Sequence, residues 1–342
     1  MTTLDINGLT IGGDARPYII AEAGTNFRGD VTLGKRFIEE AAKAGADAVK
    51  FQTHIRDAEM SEPGMQELGF GDLYERLREQ ELSLDEHREL QAHCADNGVD
   101  FLSTPFSVEG VSRLAELEPP AVKIGSGELT NYHLLDAAAA TGKPLLISTG
   151  MSDSDEVRDA CSFVADRTDQ FALFYCVSAY PTATSDLNLD QIEEMQSEFG
   201  VPVGFSDHST GIEAAAVAMA RGADIVEKHF TIDRRLPGGD QEVSIEPDEL
   251  AALVDYADLV DETRGLDEGL LPEERSIKEW ANHSVVATER IEEGDELTER
   301  NVTTKRPGTG IPASEFFDVL GKTVIRDIEP DTVLQPDDLR RE

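Results

Sequence analysis

The chain of 342 residues is 39% hydrophobic and carries 69 acidic against 30 basic side chains, a formal net charge of −39. That is enough for a barrel-sized domain with a small appendage and a substantial core. No apolar run approaches the roughly 20 residues of a membrane-spanning helix, and the acidic excess argues against nucleic acid and anionic membranes as partners.

In chain order, Met1-Thr2-Thr3-Leu4-Asp5 lacks the basic and then apolar regions of a signal peptide. Residues 4–11, with Asn7-Gly8 between apolar pairs, predict a hairpin plugging the floor of a barrel. Eight short apolar, β-branched runs follow at 18–23, 46–52, 99–104, 121–125, 144–149, 171–177, 201–206 and 223–229. Helical stretches rich in Ala, Leu and Glu separate them; 30–44 stops at Gly45 and 83–97 at Gly98. Eight strands alternating with helices, too apolar for a half-exposed sheet, predict an α/β fold of the (β/α)8 TIM-barrel type.

The alternation ends near residue 250. A charged helix over 247–263 leads into a linker, and residues 290–297 are echoed by 327–334, which predicts a compact pseudo-symmetric module. The expected division is a barrel domain with its hairpin over 1–262, a linker over 263–283 and a small domain over 284–342. A piece that small is expected to lean on the barrel or on a partner chain.

Polar or ionisable groups stand at all eight strand ends, where a barrel keeps its chemistry. Lys50 and Lys123 end apolar runs in a chain with only nine lysines against twenty-one arginines. They read either as surface lysines or, with Ser126, Ser148 and the amides of Gly125-Ser126-Gly127, as a site for a phosphate and a carboxylate. His208 and His229 end adjacent strands, which suits a shared divalent ion; a lone strand-end histidine would read as a hydrogen-bonded core group. Glu22 and Glu128 either balance the local positive charge or handle protons. Cys176 reads as buried filler. With Cys94 and Cys161 it makes an odd set without CxxC spacing, which points away from disulfides and a thiolate zinc site and fits a reducing cytoplasm. The acids run along the whole chain and not in a tail, which reads as adaptation to a salt-rich cytoplasm; the alternative is an ordinary acidic enzyme.

Taken together, Ala21-Glu22-Ala23-Gly24-Thr25-Asn26, Lys50-Phe51-Gln52-Thr53-His54, Lys123-Ile124-Gly125-Ser126-Gly127-Glu128, Ser206-Asp207-His208 and Lys305-Arg306-Pro307-Gly308-Thr309-Gly310 resemble the N-acetylneuraminate (sialic acid) synthase family. The resemblance covers nearly the whole chain, in the family's order. It implies a TIM barrel followed by a small C-terminal β-clip domain of the SAF, or antifreeze-like, type. It also implies an enzyme that condenses phosphoenolpyruvate with an N-acylated amino-sugar aldehyde such as N-acetylmannosamine, releasing phosphate by C–O cleavage. Phosphoenolpyruvate would sit on Lys50, Lys123, Ser126, Ser148 and Ser178, and manganese or magnesium on His208 and His229. Glu22 and Glu128 would activate water and move protons, while Gln52, Tyr180 and Asp240 would hold the open-chain sugar. Arg306 would reach the sugar's N-acyl group from the partner subunit of a domain-swapped homodimer.

The chain departs from better-known members in having Met65 after Pro63-Gly64, where they carry asparagine, and from some members in having Ser178 ahead of Tyr180-Pro181, where those carry asparagine. Legionaminic and pseudaminic acid synthases share the motifs and the mechanism, so the sugar stays open. Two other classes stay open as well: a Schiff-base aldolase using Lys123 or Lys228, and a non-catalytic sugar-binding protein.

Overall fold

In the computed structural model, which describes residues 2–265 and 269–340, Asn7 and Gly8 turn the chain with φ of 52° and 86°. Two successive left-handed residues make the tight turn that a two-residue hairpin needs. They join β1 (Leu4–Ile6) to β2 (Leu9–Ile11), antiparallel. Eight parallel strands follow: β3 (Tyr18–Glu22), β4 (Ala48–Thr53), β5 (Asp100–Pro105), β6 (Val122–Ile124), β7 (Leu145–Ser148), β8 (Phe171–Cys176), β9 (Val203–Asp207) and β10 (Ile225–His229). The last pairs with the first, β10 with β3, and the order runs β5-β4-β3-β10-β9-β8-β7-β6, with β5 and β6 side by side at the seam. This is the expected (β/α)8 barrel.

Side chains alternate along a strand, so each strand serves two layers. Ile19, Ala21, Val49, Phe51, Val203 and Phe205 face the helices. Tyr18, Ile20, Ala48, Leu102, Leu146, Phe174 and Ile225 fill the barrel, closed from below by Leu4, Ile6 and Ile11 of the hairpin. Continuing the inner parity toward the strand ends reaches Glu22, Lys50, Lys123, Ser148, Cys176, Ser206, Glu227 and His229. The fold thus delivers its inner column to one end, and that end is polar.

The helices obey local signals. Asp30 caps Val31–Lys43 by accepting from the Thr32 and Leu33 amides. Ser83 and Glu86 form a reciprocal capping box on Leu84–Asn97, which stops at Gly98. Between β4 and that helix the chain makes three short helices, Arg56–Glu59, Glu62–Glu67 and Gly71–Arg78, where no regular element was expected. Helix Pro247–Glu262 completes the first unit, Met1–Arg264.

The second unit is Gly265–Glu342. The stretch expected as a linker holds the helix Pro272–Ala281; its residues 266–268 lie outside those described. β11 (Ser284–Ala287) pairs antiparallel with β12 (Val302–Lys305). The echoed segments bond to each other at equivalent positions: the Ile291 amide donates to Ile328 O at 2.9 Å, and the Ile328 amide returns to Ile291 O at 2.8 Å. A local two-fold between the copies follows from that reciprocity. Among the described residues no helix is long and apolar enough to cross a membrane.

Candidate active site

A cleft of about 360 Å³ opens at the C-terminal ends of the barrel strands. Its floor is ionic. Lys50 and Lys123 are 3% and 2% exposed. Lys50 Nζ pairs with Glu22 at 2.7 Å and with Glu227 at 3.6 Å, and donates to Thr104 Oγ1 at 2.9 Å. Lys123 Nζ donates to Ser148 Oγ at 2.5 Å and to Ile124 O at 3.1 Å, with Glu227 at 3.9 Å. Glu227 is therefore flanked by both ammonium groups, and it also accepts from Ser206 Oγ at 3.1 Å.

Burial sets different charge states on this floor. It pushes the Glu22 carboxyl up, against the pull of Lys50. Burial acts the same way on Glu227, but there Lys123 and Lys50 together prevail and hold the carboxylate well below its usual range. Burial lowers Lys123, which has the weaker carboxylate contacts; Lys50, between two carboxylates, ends above its usual value despite its burial.

The wall above the floor holds Ser126, Ser178, Cys176, Tyr180, His208, His229 and Asp240. Gly150 donates its amide to Ser126 Oγ at 3.1 Å. A Cβ at Gly150 would collide with Ser178 Oγ and lie 2.8 Å from Ser126 Oγ. A side chain there would fill the space between the two hydroxyls.

His208 and His229 stand with ring centroids 5.4 Å apart. His208 Nδ1–H donates to Val177 O at 2.8 Å, which leaves Nε2 to accept from the Tyr180 hydroxyl at 2.9 Å. Nδ1 of His229 is buried without a hydrogen-bond partner, 3.6 Å from Asp240, and burial lowers the ring's proton affinity. Among the described residues no three His, Cys, Asp or Glu side chains gather into a metal cage. The donors present fit a divalent ion on two imidazoles with the remaining positions open to small oxygen ligands, and not a closed structural site.

Asp240 is held by the loop after β3. Asn26, fully buried, donates to Phe230 O at 3.1 Å and Ser244 Oγ at 2.8 Å, and accepts from the Asp240 amide at 3.1 Å. Thr25 Oγ1 donates to the Asp240 carboxylate at 3.0 Å. Removing the amide in Asn26→Ala strands these buried groups, each costing about 1–3 kcal/mol. The variant is expected to lose roughly 2–3 kcal/mol in a denaturant melt, and an unchanged melt would show the latch to be slack.

The structure brings together Glu22, Lys50, Gln52, Lys123, Ser126, Ser148, Ser178, Tyr180, His208, His229 and Asp240. Glu128 is not on the cleft wall; its half-buried carboxylate accepts from Asn131 at 2.7 Å. Arg306 belongs to the second unit, where its Nε donates to Ala281 O at 2.9 Å and its guanidinium lies 5.4 Å from the Trp280 ring centroid. Lys228 points out of the barrel, wholly buried, paired with Asp207 at 3.0 Å and bonded to Ser209 O. It is thereby removed as a Schiff-base lysine. Glu227 was missed, although its parity with Ile225 and His229 marks it as inward-facing.

Comparison with known proteins identifies the family. The model of the NeuB family matches residues 37–268, and that of the SAF domain matches 282–340. An N-acetylneuraminate-9-phosphate synthase of Homo sapiens is 36% identical over 96% of this chain and 94% of its own. An N,N'-diacetyllegionaminic acid synthase of Campylobacter jejuni is 34% identical over 94% of this chain and 99% of its own. The solved structure of an N-acetylneuraminic acid synthetase from Leptospira borgpetersenii, 35% identical, superposes with a TM-score of 0.74 over 81% of this chain and 95% of that one. An ionic barrel floor, a paired-histidine wall and this likeness over nearly its full length place the chain in the NeuB family, as a synthase of the nonulosonic acid type.

Proposed function

We propose that this enzyme condenses phosphoenolpyruvate with an N-acylated amino-sugar aldehyde and releases inorganic phosphate. The observation that carries the reading is the pair of lysines on the cleft floor. Two buried ammonium groups with Ser126, Ser148 and Ser178 nearby suit a ligand bearing a phosphate and a carboxylate. Phosphoenolpyruvate is such a ligand, and its C3 carbon is nucleophilic.

In this reading C3 of phosphoenolpyruvate bonds to the aldehyde carbon, water adds at C2, and the C2–O bond to phosphate breaks. His208 and His229 hold manganese or magnesium, which when bound supplies Lewis-acid polarisation of a carbonyl oxygen. Glu22, whose carboxyl is raised by burial, is suited to take a proton from water and return it. Glu227 stays ionised between the lysines and keeps their charge compensated in the free enzyme. Gln52, Tyr180 and Asp240 line the sugar end. Arg306 of a second subunit clamps the N-acyl group, so that the active unit is a swapped homodimer; a guanidinium can donate paired hydrogen bonds to an amide oxygen.

The sugar end bears on the substrate. Among the described lining residues the ammonium and guanidinium groups are Lys50 and Lys123 alone, both on the floor. No described lining ammonium or guanidinium group stands beside Asp240 to receive a second phosphate on the sugar. An unphosphorylated sugar is therefore favoured, whether N-acetylmannosamine or the diacetamido sugar of a legionaminic or pseudaminic acid synthase.

The test is phosphate release from phosphoenolpyruvate across a panel of amino-sugar aldehydes, with their 6-phosphates in parallel and with excess chelator as one arm. Release that needs an unphosphorylated aldehyde, stops with chelator and returns with manganese or magnesium is expected. Binding without any release would instead favour a sugar-binding protein, and full rate in chelator would remove the metal. A borohydride-trapped adduct with pyruvate would favour a Schiff base at Lys123.

A further inference from the structure

Outside the cleft, two side chains that do not line it end in a contact with one that does. His54 follows β4 and Glu59 closes the short helix Arg56–Glu59; their side chains are 7% and 3% exposed. His54 Nδ1–H donates between the two oxygens of Glu59, at 3.0 and 3.1 Å. Its Nε2–H donates to Gln52 Oε1 at 2.9 Å. Gln52 then donates from Nε2 to Glu22 Oε1 at 3.0 Å, and the other Glu22 oxygen pairs with Lys50 at 2.7 Å. The His54 ring also lies flat on Phe106, centroids 4.6 Å apart and planes within 3°, and Phe106 lines the cleft.

The two ends of a glutamine amide are almost the same shape but opposite in hydrogen bonding. Left to itself, Gln52 could offer Glu22 either its NH2 or its carbonyl, and only the first is attractive to a carboxylate. A carboxylate accepts only, so Glu59 fixes the ring with Nδ1–H toward itself. The Gln52 carbonyl also only accepts, so this arrangement requires an N–H on both ring nitrogens, an imidazolium paired with the Glu59 carboxylate, and its Nε2–H on that carbonyl directs the amide NH2 at Glu22. Every contact in this chain has one donor and one acceptor, and no member can turn without stranding a neighbour.

We infer that Glu59 and His54 are positioning residues, which act through the Gln52 amide to aim the Glu22 carboxylate and, through the stack on Phe106, to set one wall of the cleft. The inference rests on the role given to Glu22 above. Neither residue lines the cleft, and neither was singled out for a role from the sequence. Catalytic groups lose rate steeply when displaced, with a misplacement near 1 Å costing on the order of 100-fold.

The test is a double-mutant cycle on phosphate release. His54→Phe keeps a flat ring to stack on Phe106 but has no donor, and Glu59→Gln keeps the shape without the carboxylate. His54→Phe is expected to lower kcat roughly 10- to 100-fold with KM for phosphoenolpyruvate changed by less than about twofold, and Glu59→Gln to move both in the same direction by less. In a Gln52→Leu background, His54→Phe should cost less than about twofold more, because no amide remains to orient. Losses that multiply across the two backgrounds would overturn the inference, as would a rise in KM alone. If His54→Phe does not fold, Glu59→Gln carries the same cycle with Gln52→Leu.

A second readout does not need turnover. The side-chain amide protons of Gln52, assigned by their loss in Gln52→Leu, should exchange with solvent at least about tenfold faster in His54→Phe than in the parent. Equal exchange rates would overturn the inference. Parent enzyme that releases no phosphate would count against the proposed reaction, and the amide exchange would still decide the positioning role.

Discussion

Lys123→Ala is expected to weaken phosphoenolpyruvate binding by roughly 100-fold or more, within the range of 2–5 kcal/mol for removing one partner of a buried, hydrogen-bonded charge pair. Lys50→Ala should do the same and also lower stability. The difference lies in what each lysine does before ligand arrives. Lys123 donates to a hydroxyl and a carbonyl and reaches its nearest carboxylate, Glu227, only at 3.9 Å, so it is held less closely by carboxylate than Lys50. Lys50 is clamped to Glu22 at 2.7 Å and to Glu227 at 3.6 Å. Without Lys50 the two buried carboxylates keep only Lys123 between them, and the Glu22 carboxyl, already raised by burial and by Glu227, rises further. Titration calorimetry with phosphoenolpyruvate and a denaturant melt on both variants separate the effects. Lys123→Ala should move chiefly the first measurement and Lys50→Ala both. If both variants keep the parental affinity, the anion site is not on this floor.

The part of this arrangement that the sequence revealed is the part written in period two. Apolar runs with polar ends gave the strands, and residues such as Lys50 and Lys123 stood out because each ends a run. Glu227 was hidden beside Lys228, which drew the attention of a Schiff-base argument. The inner parity set by Ile225 and His229 separates them: Glu227 faces in and Lys228 faces out to Asp207. Glu128 lies off the cleft wall for the opposite reason. The strand β6 ends at Ile124, and the one-turn helix Ser126–Glu128 breaks the alternation before Glu128 is reached. The three short helices of 56–78 also escaped, since helices of four to eight residues show little periodicity. With them went Glu59, whose link to Gln52 runs through tertiary hydrogen bonds that spacing cannot reveal. Asn26 was quoted only as part of a motif; its three bonds to residues more than 200 positions away explain it.

The enzyme is also expected to melt at least about 10 °C higher in 2–3 M potassium chloride than in 0.1 M, which for a chain of this size corresponds to a few kcal/mol. The formal charge of −39 is the starting point. Its effect is sharpened by where the cations are. Three of the nine lysines, Lys50, Lys123 and Lys228, are buried at 3%, 2% and 0% exposure. Their charge is spent on Glu22, Glu227 and Asp207 inside the barrel and cannot relieve the surface. The exposed ion pairs that remain, such as Arg158 with Glu198 and Arg290 with Asp327, are worth at most about 1 kcal/mol each. Near 0.1 M salt the Debye length is about 10 Å, so neighbouring surface carboxylates repel; near 1 M it falls to about 3 Å and the repulsion is largely screened. The barrel core does not change with salt in this range by any charge-based route, so the shift measures the surface. The control is sodium perchlorate at equal ionic strength, which screens charge without strengthening apolar burial as excluded salts do. If screening governs, both salts should raise the melt over the first 0.5 M. A melt independent of salt from 0.1 to 3 M would mean that the acidic surface is tolerated without counter-ions, and the chain would then be an ordinary acidic enzyme.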